Sequence, residues 1–568
     1  MATAMVIDPV CGMSLDAASA QHSSQHEGRT LYFCSVRCKS AFDANPQQYL
    51  TQAAAAAPEP DEGHESHGGH ASMHLPGEPA DTVFDRSIAG LPEALSSAVI
   101  DLRDGQDFEL RAAPVRKRLG DATVKMLGYN GSIPGPTFRV PQMAKVRVNF
   151  RNEMDLETTV HWHGLRHDYQ FDGVPTAHRG MQDPVPQGGN FMYSLRFPDA
   201  GFFWYHPHIR EDYGQEHGLS GGIIVVPTDP TYWAPVNREL SLVLDDILME
   251  DGQIASFSTS GSDRTAMGRF GNVMLVNGET EFHMDALTGE VVRLYLTNAA
   301  NTRIFNVRVP GAGLKLVGAD NGRIEREMMV DEVLIAPSER AIVDVLFPDS
   351  GPLTIEHRTP DATYKLGTVD LRSESLDRSY SAEFETLRQD PELHAMRATL
   401  APHIERAPEK TVALVGVMPG MAHHAGMSDE ADVNSTAIEW EDTMEQMNRV
   451  STPQTMQWKL VDRETGRENE SIDWSFRLGE LVKIRIVNEL ASDHPMPHPF
   501  HIHGVRFLVL SRNGVPNPNL AWKDTVLVTT GETVDILIDA SNPGVWMAHC
   551  HIAEHLEAGM IFSFEIQQ

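Results

Sequence analysis

The stretch GELVKIRIVNELASDHPMPHPFHIHG, residues 479–504, contains a strand of alternating apolar residues, an Asn, a loop and a second strand that ends in paired histidines. The same plan recurs in KVRVNFRNEMDLETTVHWHG at 145–164 and, without the paired histidines, in GEVVRLYLTNAANTRIFNVRV at 289–309. Apolar alternation is typical of half-buried strands, and repetition on this scale indicates duplicated folding units. The sequence therefore predicts three copies of one β-sandwich.

A partner segment follows each copy. The partner segments are YSLRFPDAGFFWYHPH (193–208), AIVDVLFPDSGPLTIEHR (341–358) and VDILIDASNPGVWMAHCH (534–551). Only the first and third copies carry paired histidines, whereas the middle copy has Asn306 and an isolated His357 at the matching places. We expect the middle sandwich to be a spacer or a wall that faces the substrate.

The 568 residues exceed one domain, since a domain takes roughly 150 residues. A polar segment rich in Ala, Pro, Glu and Gly follows the first fifty residues and has the composition of a tether. The predicted divisions are a metal-binding module at 1–50, a His- and Met-containing linker at 51–83, sandwiches at 84–230, 231–375 and 409–568, and a helical connection at 376–408.

Composition and charge exclude several classes of protein. The formal net charge of −33 repels phosphate backbones and anionic lipid and attracts cations, so we expect neither a nucleic-acid nor a membrane partner. No stretch has the ~18 consecutive apolar residues of a membrane span. The N-terminus lacks a basic segment followed by an apolar core, which predicts a cytoplasmic protein, or a periplasmic or other extracytoplasmic one if a leader had been removed.

Four His-x-His units occur at the strand ends of the first and third copies. Successive side chains of a strand alternate faces, so each unit presents two imidazoles on one side. Eight converging imidazoles suit three metal ions with two, three and three ligands, which leaves coordination positions open for a small ligand such as dioxygen. The alternative for any single unit is a solvent-facing strand pair. The units are His161/His163, His206/His208, His501/His503 and His549/His551.

Cys550 lies between His549 and His551, so its sulfur points to the face opposite their imidazoles and serves a different metal. His498, His555 and Met560 complete a set of two His, one Cys and a weak axial Met. That is the ligand list of a blue-copper electron-transfer site. Electrons can then pass from Cys550 through its backbone to the neighbouring histidines of the three-metal cluster. The alternative is a buried free cysteine that only packs; the four Cys of the chain are too few for a disulfide framework.

These motifs resemble those of the three-domain multicopper oxidases, which include laccases, bilirubin oxidases and cuprous or ferrous oxidases. The motifs are HWHG (161–164), WYHPH (204–208), HPFHIHG (498–504) and HCHIAEHLEAGM (549–560), and the resemblance covers roughly 84–568. It implies a mainly β fold with three cupredoxin-like Greek-key β-sandwiches. It also implies one-electron oxidation of a reductant coupled to four-electron reduction of dioxygen to two waters.

The resemblance further implies four copper ions, and the matching motifs assign their ligands. The type 1 ligands are His498, Cys550, His555 and Met560, and the type 2 ligands are His161 and His501. The type 3 pair takes His163, His206, His208, His503, His549 and His551.

Asp172 in FDGVP follows His163 at the place where family members carry an acidic residue near the cluster, which implies proton delivery. The alternative is a turn Asp before Gly173. Some members carry another carboxylate directly after the last type 1 His, but this chain has Leu556 there. The sequence therefore predicts no second acid at that position.

Cys11 in DPVCGM and Cys34 and Cys38 in YFCSVRC resemble a YHS (TRASH-like) domain over about residues 5–50. Three thiolates can hold Zn, Cu(I) or Ag(I), with His22 or His26 as a fourth ligand. The alternative is a closed Zn site that only stabilises the module. A further candidate for loose copper binding is the linker, and the alternative is a solvated, flexible tether. The linker residues concerned are His64, His67, His70, Met73 and His74.

A second methionine-containing segment enters the third copy before its long strands. Thioethers favour Cu(I), and Met-rich insertions near type 1 accompany cuprous oxidase activity in the family. The alternative is adaptable packing. The candidate Cu(I) residues are Met418, Met421, Met427, Met444 and Met447, with His423 and His424 among them.

The predicted function is a monomeric multicopper oxidase that oxidises phenols and aromatic amines in the manner of laccases, Cu(I), or both. Its partners are then dioxygen and a small reductant, and its cofactors are four Cu ions with one Zn or Cu in the N-terminal module. The alternative is a dedicated cuprous oxidase or a copper-sequestering protein in metal tolerance.

Overall fold

The computed structural model describes residues 83–348, 351–419 and 438–568 continuously. Within the first fifty residues it describes 5–7, 9–10, 14–16, 20, 22–26, 28–33, 39, 42–43, 46 and 49. Strands dominate these residues and all helices are short, so the predicted mainly β fold class is confirmed. No helix among the described residues has the length and apolar character to cross a membrane.

Short strands of the N-terminal unit pair as two hairpins, β1 with β2 and β3 with β4. Their bounds are β1 Met5–Ile7, β2 Ser14–Asp16, β3 His22–His26 and β4 Arg29–Phe33. Val10, Phe33, Phe42 and Tyr49 form a small buried cluster in this unit.

Two sheets form the first sandwich, with strand orders β10-β12-β13-β8-β5 and β11-β9-β6-β7. The bounds are β5 Val99–Asp101, β6 Asp107–Leu119, β7 Ala122–Tyr129, β8 Thr137–Pro141, β9 Lys145–Asn152, β10 Val160–His163, β11 Asn190–Arg196, β12 Gly201–Pro207 and β13 Gly221–Val226. The apolar alternation predicted for β9 is seen, since Val146, Val148 and Phe150 are buried among residues of both sheets.

The second sandwich has sheets ordered β17-β14-β19-β24-β21-β22 and β18-β26-β25-β20-β23. The bounds are β14 Arg238–Ile247, β15 Met249–Glu250, β16 Gln253–Ile254, β17 Val273–Val276, β18 Phe282–Leu287, β19 Val291–Asn298, β20 Phe305–Arg308, β21 Gly313–Ala319, β22 Gly322–Val330, β23 Val333–Ile335, β24 Arg340–Leu346, β25 Leu353–Arg358 and β26 Thr363–Arg372. β15 and β16 form a separate hairpin.

Every residue of β19 is buried although its sequence alternates, because the first sandwich covers its outer face. Tyr295 of β19 packs there with Phe202 of β12 and Ile224 of β13. Asn306 and His357 stand where the other copies have histidines, and the main-chain N–H of Asn306 donates a hydrogen bond to His357 Nδ1 at 3.0 Å.

The third sandwich has sheets ordered β28-β27-β30-β36-β32-β33, with β34 beside β32, and β29-β38-β37-β31-β35. The bounds are β27 Lys410–Val417, β28 Gln457–Asp462, β29 Trp474–Arg477, β30 Leu481–Asn488, β31 His498–Ile502, β32 Arg506–Arg512, β33 Val515–Pro516, β34 Trp522–Lys523, β35 Thr525–Val528, β36 Thr533–Asp539, β37 Gly544–Cys550 and β38 Ile561–Gln567.

Short helices connect the sandwiches or cap their strands. They are α1 Glu211–Glu216, α2 Ser381–Glu385, α3 Pro391–Arg397, α4 Ala401–Glu405, α5 Glu445–Val450 and α6 Ala553–Glu557, with 3-10 turns at Tyr169–Phe171, Thr176–His178 and Asn469–Ser471. Within 376–408, where the sequence predicts a helical connection, the structure has α2, α3 and α4. Leu393 and Leu400 of this connection pack on Leu508 and Trp522 of the third sandwich.

Strand pairing places the histidines in two groups. In the first sandwich β10 pairs with β12 so that His161 lies opposite His206, and in the third β31 pairs with β37 so that His501 lies opposite His549. Directly opposite residues of an antiparallel pair project on the same side. Each sandwich therefore presents four imidazoles from two neighbouring strands.

Candidate metal centres

The first centre combines a thiol and two imidazoles in the core of the third sandwich. Cys550 Sγ lies 3.4 Å from His498 Nδ1 and 3.8 Å from His555 Nδ1, and the two nitrogens are 3.3 Å apart. Met560 is fully buried in the same core cluster, and the Cys550 amide donates to the Met560 carbonyl. The structure thus brings together the two His and the Cys predicted from the sequence, and packs the predicted Met in the same core.

Burial decides the protonation of this centre. It lowers the pKa of His498 to about 3, with His494 adding to the effect, so the imidazole is neutral and has a lone pair to offer. It raises the pKa of the Cys550 thiol well above its usual range. A thiolate here would require a bound cation, as expected for a thiolate metal ligand.

An indole covers both imidazoles of this centre. Trp458 of β28 stacks on His555 with ring centroids 4.0 Å apart and meets His498 edge-on at 4.9 Å. Its Nε1 donates to the Thr265 carbonyl, which holds the ring in place. His498 is only 1% exposed and His555 is not exposed, so neither offers an imidazole edge to a large substrate.

His494 and Met267 form a contact beside this centre that the sequence analysis missed. His494 Nε2 lies 3.2 Å from Met267 Sδ, and the His494 ring is 5.9 Å from that of Trp458. His494 is 7% exposed, more than His498 or His555. The two residues are 227 positions apart, and no local motif marks the pairing.

The second centre contains the eight histidines of the His-x-His units, all buried between the first and third sandwiches. Three groups have one ring nitrogen per residue within 4.8 Å of one another, and each group draws on both sandwiches. The groups are His161, His163 and His501; His163, His206 and His551; and His208, His503 and His549.

Hydrogen bonds at the outer nitrogens decide which ring nitrogen faces inward. His161 Nδ1 donates to the Asp172 carbonyl and His501 Nδ1 to the Asp524 carbonyl, both at 2.8 Å. His163 instead donates from Nε2 to Asp524 Oδ1 at 2.9 Å, which leaves its Nδ1 facing inward. The inward nitrogens of these three imidazoles have no hydrogen-bond partner among the described residues.

The Nε2 atoms of the group His208, His503 and His549 lie close together. His503 Nε2 lies 3.0 Å from His549 Nε2 and 3.4 Å from His208 Nε2. Burial and the neighbouring imidazoles lower the pKa well below its usual range for His163, His206, His208, His501, His549 and His551. Converging lone pairs of neutral imidazoles fit late transition metals such as copper, and the donor set passes this test.

Asp172 lies directly behind two of these imidazoles. Its Oδ2 accepts a hydrogen bond from His503 Nδ1 at 2.7 Å, and its Oδ1 is 3.3 Å from His161 Nδ1. Burial would raise the pKa of Asp172, but His503 and His161 outweigh burial and hold the pKa well below its usual range. The residue is therefore an ionised carboxylate that orients His503, while its main-chain carbonyl orients His161.

Glu211, at the start of α1, is a second buried acid that the sequence analysis missed. Its Oε1 lies 3.4 Å from His208 Nε2, and neither carboxylate oxygen has a hydrogen-bond partner among the described residues. Burial, with Glu557 and Asp212 nearby, raises its pKa well above the usual range, so Glu211 holds a proton. Position 556 is leucine as the sequence states, and the structure brings an acid to the cluster from a different element.

Parts of the other predicted sites lie outside the described residues. These are Cys11, Cys34 and Cys38 of the N-terminal module, Met421 and Met427, and the linker residues His64, His67, His70, Met73 and His74. Met447 belongs to the core cluster of the third sandwich, and Met418 and Met444 pack against it half-buried. These three methionines are therefore in packing contact with apolar side chains.

Comparison with known proteins gives matches over most of the chain. Family models described as multicopper oxidase match residues 113–230 and 440–568, and a YHS domain model matches 6–53. The multicopper oxidase mco of Staphylococcus aureus is 25% identical over 78% of this chain and 83% of its own length.

Two further relatives extend the comparison. The copper resistance protein A homolog of Pseudomonas syringae pv. tomato is 24% identical over 84% of this chain and 94% of its own length. The crystal structure of Lac15 from a marine microbial metagenome superposes with a TM-score of 0.57 at 30% identity, and covers 81% of this chain and 100% of Lac15.

Proposed function

The chain belongs to the multicopper oxidase family and is a copper-dependent oxidoreductase with dioxygen as electron acceptor, and from that premise we propose that it binds four copper ions at the two centres. Type 1 copper takes His498, Cys550, His555 and Met560. Type 2 takes His161 and His501. The type 3 pair takes His163, His206 and His551 for one ion and His208, His503 and His549 for the other.

One observation carries this proposal. Inward ring nitrogens without partners converge from two sandwiches, and a buried His-Cys-His set is joined to them through the backbone of residues 549–551. When bound, the copper ions would accept single electrons from the reductant and transfer four of them to dioxygen. The chain itself supplies the short covalent path between the centres, since Cys550 is bonded to both His549 and His551.

Two buried acids beside the eight histidines have different roles in proton transfer. Asp172 is ionised and accepts a hydrogen bond from His503 Nδ1, so it orients this imidazole and can relay a proton delivered to it. Glu211 holds a proton on a carboxyl group that faces His208 and has no competing hydrogen bond among the described residues. We assign proton delivery to Asp172 and a proton reserve to Glu211.

The Cys550→Ser variant tests the assignment of the two centres. Serine is a poor ligand for type 1 copper, so we expect loss of the blue absorption and of nearly all turnover, with up to three copper ions retained. Copper analysis and visible absorption measure this outcome. A variant that kept its full copper content and its blue colour would contradict the assignment.

Cu(I) is the second candidate reductant, alongside the phenols and aromatic amines of laccase-like activity. Trp458 covers His498 and His555, whereas His494, which is 7% exposed, places an imidazole beside them and contacts the buried thioether of Met267. These are ligands that suit Cu(I). The name of the copper resistance protein A homolog points the same way. The net charge of −33 also favours a cationic reductant.

A methionine substitution separates the two reductants. Met267→Leu preserves volume and removes the thioether, so it should lower kcat/KM for Cu(I) far more than for a phenol. Met154→Leu, in the core of the first sandwich, is the matched control. Oxygen uptake with Cu(I), Fe(II) and a phenol measures the effect. An equal fall for all reductants, or none for Cu(I), would remove the cuprous candidate.

We also propose that the sandwiches span 84–230, 231–375 and 409–568, with residues 376–408 as their connection, and that the chain is a monomer. The three largest buried clusters of the described residues, one per pair of sheets, support this division. Light scattering on the purified protein tests the oligomeric state.

A further inference from the structure

The carboxylate of Asp524, a residue of the third sandwich, is bonded to side chains of the first and second sandwiches. Asp524 belongs to the third sandwich, between β34 and β35, and is fully buried. From the first sandwich, His163 Nε2 donates to its Oδ1 at 2.9 Å. From the second, Asn321 Nδ2 donates to its Oδ2 at 2.9 Å, and Arg340 forms a two-pronged ion pair with both oxygens.

Arg340 is itself immobilised on several sides. It is fully buried at the start of β24, and its Nη1 donates to Asp524 Oδ1 at 2.6 Å and to the Ser338 carbonyl at 2.9 Å. Its Nε donates to the Phe202 carbonyl of the first sandwich at 3.1 Å. A planar guanidinium with all these bonds has one orientation, and lysine cannot reproduce it.

The glycine of the HWHG motif, Gly164, leaves space for this ion pair beside His163. Gly164 follows His163 with φ +84°, and a Cβ there would lie 2.4 Å from Asp524 Oδ2 and 2.8 Å from Arg340 Nη2. Only glycine leaves this space open in that backbone conformation. The turn after His163 is therefore built around the Arg340–Asp524 pair.

Asp524 sets the inward nitrogen of two imidazoles on different copper sites. Its carboxylate binds Nε2–H of His163, which leaves Nδ1 as the only nitrogen of that ring able to bind a metal. Its main-chain carbonyl binds Nδ1–H of His501, which leaves Nε2 facing inward. Rotation of Asp524 would disturb both rings at once.

We infer that Arg340 is a positioning residue for the trinuclear cluster: through its ion pair with Asp524, the second sandwich, which supplies none of the assigned copper ligands, sets the orientation of His163 and His501. The second sandwich is then more than a spacer, because its docking is required to complete the cluster. This inference rests on the copper assignment proposed above.

The Arg340→Lys variant tests the inference. Lysine keeps the positive charge but not the two-pronged geometry, and loss of such outer support lowers metal affinity by about 10–100-fold. We expect copper bound at the cluster to be lost to a competing chelator at correspondingly lower concentrations, with a weakened type 2 signal in electron paramagnetic resonance. The blue type 1 absorption should remain, because neither Arg340 nor Asp524 contacts that centre.

Arg293→Lys is the matched control. Arg293 forms an equally buried two-pronged ion pair with Asp344, at 2.8 and 2.9 Å, in the same sheet of the second sandwich but without contact to the histidines. It should retain cluster copper as the unmodified protein does. Equal loss in both variants, or an unchanged type 2 signal in Arg340→Lys, would overturn the inference.

Failure to fold has a separate test. If Arg340→Lys yields no folded protein, the double variant Arg340→Gln/Asp524→Asn removes both charges together and avoids an unpaired buried ion. This variant should fold, stay blue and lose type 2 copper, and a folded form with an intact cluster would overturn the inference. If instead the unmodified protein does not bind four copper ions, the proposed assignment fails, and this outcome is distinct from any behaviour of the variants.

Discussion

At the scale of single residues, two acids beside the cluster have opposite charge states. Asp172 accepts a hydrogen bond from an imidazole N–H, which favours its ionised form, whereas burial and the neighbouring acids Glu557 and Asp212 raise the pKa of Glu211 and keep it protonated. The same buried environment thus gives one proton acceptor and one proton donor. Each can be tested separately by an amide substitution.

Asp172→Asn keeps the side-chain shape but weakens the acceptor for His503 and cannot relay a proton. We expect slower reoxidation by dioxygen with nearly unchanged anaerobic reduction of type 1 copper, measured by stopped-flow absorption. Asp168→Asn, at an exposed turn in the same loop, is the control. Equal slowing of both half-reactions, or of neither, would show that Asp172 has a structural role only.

Glu211→Gln removes a titratable proton, which Glu211 retains at pH values above the usual pKa of a glutamic acid. Because the protonated form is the donor, the wild-type rate of reoxidation should fall as pH rises through the raised pKa of Glu211. In the variant the rate should be lower and should lack this fall. Glu216→Gln is the control, since burial raises the pKa of Glu216 to about 8 in the same helix. The idea fails if the two variants have the same pH profile.

At the scale of elements, the site depends on strand pairs and on the turn that carries Asp172. β10 with β12 and β31 with β37 align the histidines, whereas Asp172 sits on a loop after the 3-10 turn Tyr169–Phe171. Gly173 allows this loop to pack closely against β10. It has φ +85°, and a Cβ there would lie only 2.2 Å from the Val160 carbonyl oxygen.

Gly173→Ala should push the loop away from β10 and separate Asp172 from His161 and His503. We expect reduced copper at the cluster and a lower Tm, with a left-handed backbone cost of about 1–2 kcal/mol in addition to the overlap. Gly188→Ala is the matched control, because Gly188 has φ +77° but open space around its Cβ position. Similar losses in both variants would mean that backbone strain alone, without displacement of Asp172, explains the effect.

At the scale of the whole molecule, the cluster lies between sandwiches that are far apart in the sequence. The first and third supply imidazoles, and the second supplies Arg340 and Asn321 to the shared carboxylate of Asp524. Residues from 83 onward contain every assigned oxidase ligand. Phe84, near the start of this part, already stacks on Tyr213 of α1 with ring centroids 4.0 Å apart.

Deletion of residues 1–80 should leave a folded, blue and active oxidase, because every assigned oxidase ligand lies beyond them and Val83 already pairs with Ser258 in the stretch described from residue 83 onward. The N-terminal module would then act in metal delivery or sensing. Copper content, visible absorption and oxygen uptake of the truncated protein, with copper fully supplied, measure this. Loss of copper from the truncated protein would instead make the module an integral part of the oxidase.

The sequence alone determined the family, the three β-sandwiches and the inventory of candidate ligands. These depend on local features: strand alternation repeats every two residues, and each His-x-His unit is contained within three. The opposite direction of the Cys550 sulfur also follows from alternation. Local patterns of this kind survive in the sequence because a strand's geometry is the same wherever the strand packs.

The docking of the three sandwiches, which the sequence does not reveal, determines which imidazole nitrogens face inward, that Trp458 covers His498 and His555, and that Glu211 and the Arg340–Asp524 ion pair lie beside the eight histidines. His163 and Asp524 are 361 residues apart, and His494 and Met267 are 227 apart. No periodicity links such residues, because their contacts arise from the docking of separate sandwiches. The protonation of buried groups follows from the same docking, since it removes water and leaves neighbouring charges to set each pKa.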